Sequence, residues 1–203
     1  MRRRRSRGQS MVELAILLPV LMLMFMGSWT ATALIGDNDT ALQATRAGAR
    51  VGAEVGDTAL PVVYPACQSS NDPETCQADV DIIQQMLPVV ATDFPNAVVQ
   101  TIWIYQPLGS GSGCSFSTTA SNPCTASEEN GVYGSQPANA YQISGNSITP
   151  PQTFLYPLSL RGVIHPDEAE LGVALQFEYT SPTLSLFTQT DTQYTVIRLA
   201  AEE

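Results

Sequence analysis

The segment RGQSMVELAILLPVLMLMFMG, residues 7–27, decides how this chain is organised. It begins with the last of five arginines and continues into a long apolar run, which is the pattern of a membrane-directed helix. Glu13 stands at the start of this run, five positions after Gly8. A carboxylate at the head of a membrane helix costs free energy, so a residue of this kind usually has a partner.

The charge distribution separates the N-terminus from the rest of the chain. The 203 residues leave room for one domain with appendages. All nine basic residues are arginines, and five of them lie within the first seven positions. From residue 9 onward four arginines face all 19 acidic residues, and an acidic body of this kind disfavours nucleic acid as a partner. The N-terminal arginines are instead typical of a topogenic signal.

The apolar segment is long enough to cross a membrane. No residue from Leu14 to Gly36 is charged. As a helix this stretch spans roughly 33 Å at about 1.5 Å per residue, which matches a hydrocarbon core of about 30 Å. Because arginines precede the run and acidic residues follow it, the N-terminus is expected in the cytoplasm and residues 37–203 across the membrane.

Two patterns of proteolytic processing compete at this end of the chain. A secretory signal peptide would be cut after Ala33, at an A-x-A site, which leaves Glu13 without a role. A prepilin leader would instead end at Gly8, so that Gln9 becomes the first residue and Glu13 the fifth. The new α-amino group of one subunit can then pair with Glu13 of a neighbour, which penalises wrong registers between helices.

The second pattern resembles a known family. Gly8, Gln9, Val12, Glu13 and Pro19 each match the N-terminus of the TadE/TadF-like minor pilins, or pseudopilins, of tight-adherence (Tad/Flp) pili. That family also carries an alanine-rich helical stretch beyond the membrane, which the segment ALQATRAGARVGAEVG resembles. The likeness covers about the first quarter of the chain, with a leucine after the glutamate where phenylalanine is commoner in that family.

The resemblance implies a function and a set of partners. A membrane-bound prepilin peptidase would cut after Gly8, and the mature chain would assemble with other pilin subunits and the inner-membrane pilus assembly platform. The chain would be a substrate of that peptidase and not an enzyme, would need no cofactor, and would contact membrane lipid. The implied domains are a leader at 1–8, a transmembrane and assembly helix at 9–36, a small-residue-rich extension at 37–56, and an extracytoplasmic domain at 57–203.

The extension is expected to be a second helix, capped by Asp39 or Thr40 where the membrane segment ends or is briefly interrupted. Its alanines and glycines allow another helix to approach closely. Two interpretations remain open: the small face packs on the chain's own domain, or it packs on neighbouring subunits.

Four cysteines form two local pairs, Cys67 with Cys76 and Cys114 with Cys124. Local disulfides are favoured among the possible connectivities because each bond closes a short, turn-rich loop. A zinc site is the alternative, although CxxC spacing is absent and the single histidine, His165, is distant. Disulfides favour an oxidising compartment.

The extracytoplasmic part is predicted to be α+β. Asp72 is suited to cap a helix that begins with Pro73, continues to residue 86 and is disturbed at Pro88. Residues 107–152, rich in Gly, Ser and Pro, are expected to form an exposed loop. About three strands in an antiparallel sheet, packed on one or two helices, complete the prediction. The predicted strands are 97–105, 171–180 and 187–199.

Catalytic patterns are scarce. The stretch GSGSG at 109–113 has glycine where a nucleophile elbow needs serine. The run HPDEAE at 165–170 is the one cluster of ligand types, and it is interpreted as a solvated acidic turn in preference to a divalent-cation site. The rival class to a pilin is therefore a secreted or single-pass membrane-anchored binding protein with an ordinary signal or anchor segment.

Overall fold

A computed structural model of the chain has a long N-terminal helix joined to a domain of helices and antiparallel sheets. The described residues are 6–55, 58–107, 114–116, 124–126, 135–136, 138–161, 170–181 and 188–198. This arrangement confirms the predicted α+β class with a long hydrophobic N-terminal helix.

Helix α1 runs from Ser6 to Val55, 50 residues without a break, which is about 75 Å at 1.5 Å per residue. The expected interruption near Asp39 is therefore wrong. The Thr40 hydroxyl donates to the carbonyl oxygen of Asp93 (3.2 Å), and the Asp39 carboxylate accepts from the Gln43 amide (3.0 Å). Both candidate caps are used inside one continuous helix.

Two further helices precede the sheet: α2, Pro65–Gln68, and α3, Pro73–Asp93. The Asp72 carboxylate caps α3 by accepting from the backbone N–H of Thr75 (3.2 Å). The predicted disturbance at Pro88 is wrong, because α3 continues through it. A proline leaves the carbonyl four residues earlier without its donor. Here Pro88 and Gln84 lie on the exposed side of α3, where water can satisfy that carbonyl.

The main sheet has five strands, all antiparallel to their neighbours, where about three were predicted. The order across it is β6, β5, β1, β7, β8. A second, three-stranded antiparallel sheet is formed by β2, β3 and β4. The strands are β1 Ala97–Tyr105, β2 Cys114–Phe116, β3 Cys124–Ala126, β4 Ser135–Gln136, β5 Ala138–Ser144, β6 Ser147–Thr149, β7 Glu170–Thr180 and β8 Thr188–Arg198.

The hairpin of β5 and β6 corrects the expectation that residues 107–152 form a single loop. Ser144 pairs with Ser147, so the connection has two residues. Gly145 takes a positive φ of 58°, as tight hairpin turns require. β5 pairs along β1, and its Tyr141 is fully buried in the main core.

The core lies between the main sheet and the two longer helices. On α3, the side chains of Ile82, Ile83 and Met86 are fully buried. They share a cluster with the inward side chains of β1, β5 and β7 and with small residues of α1. Burial of apolar area stabilises by about 25 cal/mol per Å², so this layer is the main source of stability.

A charged network is enclosed in the same domain. The Asp79 carboxylate lies 2.7 Å from the guanidinium of Arg161, and neither side chain is exposed. Asn139 and Tyr141 also donate to Asp79, at 2.7 and 2.9 Å. Arg161 donates to the Tyr156 carbonyl (2.9 Å) and stacks on its ring. Burial raises the pKa of the Asp79 carboxyl, while Arg161 and the two donors oppose that rise. The network joins α3, β5 and the 156–161 segment.

Candidate processing and assembly site

The predicted processing site lies near the start of α1. Gly8 and Gln9 are both within the helix, and Glu13 follows Gln9 by one turn. Residues four apart share one face of a helix, separated along its axis by about 6 Å. An α-amino group created at Gln9 would therefore lie on the same face as Glu13. Side chains are described from Met11 onward, and that of Glu13 is exposed.

The first half of α1 is bare. Every side chain from Met11 to Trp29 is exposed, including Leu14 at 60% and Phe25 at 74%. The helix is long and apolar enough to cross a membrane, and its most apolar stretch is not buried against the domain. Soluble monomers rarely expose a contiguous apolar surface of this size. This exposed apolar surface fits a membrane-anchored protein.

The second half of α1 belongs to the domain. Among the described residues, hydrogen bonds between α1 and the sheet begin at Thr30, whose carbonyl accepts from the Tyr179 hydroxyl (3.3 Å) and whose hydroxyl lies 3.4 Å from that of Ser181. Further along the helix, the hydroxyls of Thr45 and Thr195 form a hydrogen bond of 2.8 Å. α1 thus packs on α3, β7 and β8 from Thr30 to its end.

The small residues of the extension face the chain's own domain. A Cβ atom at Gly48 would lie 2.6 Å from Cγ of Met86, and one at Gly52 would lie 3.1 Å from a methyl of Leu171. Ala41 and Ala44 are fully buried in the same contact. Of the two interpretations of this surface, packing on the chain's own domain is the one that these contacts support.

One of the two expected cysteine pairs falls on described side chains. Cys67 and Cys76 form a disulfide with Cα atoms 5.4 Å apart, which ties α2 to the first turn of α3. Cys114 begins β2 and Cys124 begins β3, opposite Ala126 and Phe116. The side chains of Cys114 and Cys124 lie outside the described residues, so their pairing stays a prediction.

The weaker chemical signals fall largely outside the description. Residues 109–113 are not described, and neither are residues 162–169, which hold most of the run at 165–170. Within the stretches that the structure describes, no group of three or more His, Cys, Asp or Glu side chains is placed to hold a metal ion.

The burial of Asp37 was not predicted from the sequence. Asp37 is one of the acidic residues that follow the membrane segment, yet its side chain is only 2% exposed. The signal was available in the spacing, because Asp37 precedes Ala41 by four and Ala44 by seven and therefore shares their buried face.

Comparison with known protein families agrees with this architecture. The model of the family described as TadE-like protein matches residues 8–50. A search of the curated proteins and a search of the solved structures each returned no match. The matched region starts at the predicted leader boundary and covers both the bare half of α1 and most of the half built into the domain. Over residues 8–50, the N-terminal helix of this chain is therefore similar to that of the TadE-like family.

Proposed function

We propose that this chain is a minor pilin-like subunit of a Tad-type pilus, used in pilus assembly, priming or tip adhesion. One observation carries the proposal: a single helix has a bare apolar half in the TadE-like region and a second half built into the domain. Such a helix can be held in lipid first and then packed against the helices of other subunits. The domain can travel with it unchanged, because every side chain from Met11 to Trp29 is exposed.

The proposed processing step creates a charged group that can pair with Glu13 of a neighbouring subunit. A prepilin peptidase cuts after Gly8 and leaves an α-amino group on Gln9. In a helical stack, the amine of one subunit pairs with the Glu13 carboxylate of its neighbour as both helices leave lipid. A misaligned pair leaves two unpartnered charges in an apolar setting, so this contact selects one stagger between subunits.

The proposed topology places the leader in the cytoplasm and the domain on the far side of the inner membrane. Arginines before the span and acidic residues after it support this orientation. The Cys67–Cys76 disulfide also supports an oxidising compartment for the domain. The partners are then the prepilin peptidase, other pilin subunits and the assembly platform of the inner membrane.

Cleavage after Ala33 is disfavoured under this proposal. It would remove Thr30 and with it the contacts to Tyr179 and Ser181. It would also cut between Ala33 and Leu34, both of which pack against the main core. A signal peptide that is discarded has no reason to contribute to the packing of the mature domain.

A substitution at Glu13 tests the assembly role. We expect Glu13→Ala to be cut after Gly8 as in the wild type, yet to be lost from the sheared pilus fraction and from cross-links to other subunits. Asp39→Ala is the matched control, because it removes an exposed carboxylate from the same helix. Incorporation of Glu13→Ala at the wild-type level would overturn the proposed pairing.

A further inference from the structure

A groove of about 530 Å³ lies where α1 meets the end of α3 and the start of β1. Its wall on α1 extends from Phe25 to Thr40, and its opposite wall includes Asp93 and Asn96. The groove therefore begins on the bare half of the helix and ends on the half that belongs to the domain. Its position brackets Thr30, the level at which the domain first contacts the helix.

The end of the groove nearer to Thr40, called its upper end, is acidic. Asp37 lines it, is 2% exposed, and has one carboxylate oxygen, Oδ2, without a hydrogen-bond partner among the described residues. Asp93 adds a second, exposed carboxylate. Buried carboxylates are normally hydrogen-bonded or paired, because desolvation without compensation costs several kcal/mol or more. A cationic group is the complement of this end.

The lower end of the groove is apolar and open to lipid. Phe25 and Trp29 line it and are 74% and 60% exposed. Twelve residues separate Phe25 from Asp37, which is about 18 Å along the helix. Tryptophan favours the boundary between hydrocarbon and headgroups. The groove thus runs from apolar side chains to a pair of carboxylates over about 18 Å of the helix.

We propose that this groove binds a phospholipid with a primary ammonium headgroup, of the phosphatidylethanolamine class, from the membrane that anchors the helix. The ammonium group lies between Asp37 and Asp93, the phosphate faces the Asn96 amide and the Trp29 indole N–H, and an acyl chain follows Phe25. This inference rests on the membrane anchoring of α1 and is independent of assembly into a pilus.

Three of the four arginines beyond the leader are poorly placed to reach this groove from a second copy of the chain. The chain has no lysine, and beyond the leader it has four arginines. Arg161 is buried in its own ion pair. Arg46 and Arg50 lie about 14 and 20 Å beyond Asp37 along the helix axis, so a parallel copy at the same membrane depth keeps them above the groove. Phospholipid brings its cation to the required depth.

Native mass spectrometry of the full-length chain in detergent, with equimolar phosphatidylethanolamine and phosphatidylglycerol added, tests the proposal. We expect the wild type to retain phosphatidylethanolamine about tenfold more than phosphatidylglycerol, a preference equivalent to one decade in Kd. Asp37→Asn should lose the preference. Asp39→Asn, two residues away and exposed, should keep it. Equal retention of both lipids by the wild type, or an unchanged preference in Asp37→Asn, would overturn the proposal.

A second readout does not depend on the folding of the Asp37 variant. The fluorescence of Trp29 is obtained by subtracting the signal of Trp29→Phe from that of the wild type. Brominated phosphatidylethanolamine in the vesicles should quench this fluorescence more strongly than brominated phosphatidylglycerol does. Equal quenching by the two lipids would contradict lipid binding. In the native mass spectra, a dimer that is lost in Asp37→Asn, with no lipid retained, would also overturn the proposal and would indicate a second copy as the occupant. Because neither assay needs a pilus, a failure here is distinguishable from a failure of Glu13 pairing.

Discussion

The Tyr179 hydroxyl donates a hydrogen bond to the backbone carbonyl of Thr30 at 3.3 Å, and this contact divides α1 into two halves. Before Thr30 every described side chain is exposed, and after it the helix packs on α3, β7 and β8. About 20 residues separate Ser10 from Trp29, which is a rise of about 30 Å and equals the thickness of a hydrocarbon core. The exposed half of α1 is therefore about as long as a hydrocarbon core is thick, and contact with the described part of the domain follows it.

Close packing of α1 on α3 depends on Gly48. A Cβ atom there would lie 2.6 Å from Cγ and 2.7 Å from Sδ of Met86. Gly48→Leu should lower the free energy of unfolding by about 1–3 kcal/mol through overpacking. Gly27→Leu is the control, since nothing lies within 4 Å of that position. Thermal unfolding of the detergent-solubilised chain, followed by near-UV circular dichroism, measures both. Equal midpoints for the two variants would contradict the packing described.

The ring of Tyr105 leaves no room for a side chain at Gly172. Gly172 pairs with Tyr105 across β7 and β1, and the Tyr105 ring occupies the place of the missing Cβ atom. Gly172→Ala should destabilise the domain by about 1–3 kcal/mol. In a Tyr105→Leu background the same substitution should cost less, because the rigid ring is gone. Denaturant unfolding of the two single variants and the double variant measures this coupling. An additive double variant would show that the ring is not the obstacle.

The buried pair of Asp79 and Arg161 is sensitive to loss of one partner. Asp79→Asn removes the carboxylate that lies 2.7 Å from the buried guanidinium of Arg161, and we expect a loss of about 3–5 kcal/mol. The double variant Asp79→Leu with Arg161→Met should recover much of that loss, since an apolar pair needs no compensation. Denaturant unfolding of the three chains provides the comparison. A double variant that is less stable than Asp79→Asn would contradict this prediction, because it would show that the charges of the network stabilise the domain.

The disulfide predicts the redox state of the chain in cells. Cys67 and Cys76 should resist maleimide labelling until reductant is added, and peptide mapping should recover them as one linked pair. Reduction should cost about 2–4 kcal/mol of stability, because the bond restrains the unfolded chain. The Gln77 side-chain oxygen, which accepts from the backbone N–H of Val63 and Tyr64, should keep the linker on α3 after reduction. Thiols labelled without reductant would contradict the extracytoplasmic placement.

Local signals predicted several elements well. The cap at Asp72 with a proline after it marked the start of α3, and the β-branched run of β1 was predicted at Ala97–Tyr105. Both patterns depend on residues that are close in sequence. The family resemblance, which covers about the first quarter of the chain, likewise depends on local sequence, and the model of the TadE-like family matches residues 8–50.

Long-range contacts explain what sequence reasoning missed. Pro88 stays within α3 because its neighbours on the buried face hold the helix while the freed carbonyl faces water. β5 is short and flanked by polar residues, and its pairing along β1 is what stabilises it as a strand. Asp37 lines a groove with Asp93 and Asn96, which are more than 50 positions away in the chain. The pairing of β5 and the surroundings of Asp37 therefore depend on residues that are distant in sequence.

The N-terminal residue of the mature protein, measured by mass spectrometry of the membrane fraction, tests the central claim most directly. Cells that carry a prepilin peptidase should yield a chain that starts at Gln9, with α1 otherwise complete. A strain without the peptidase is the control and should retain the leader. A mature chain that starts at Leu34 would contradict the account, because the bare half of the helix would then be a discarded signal peptide.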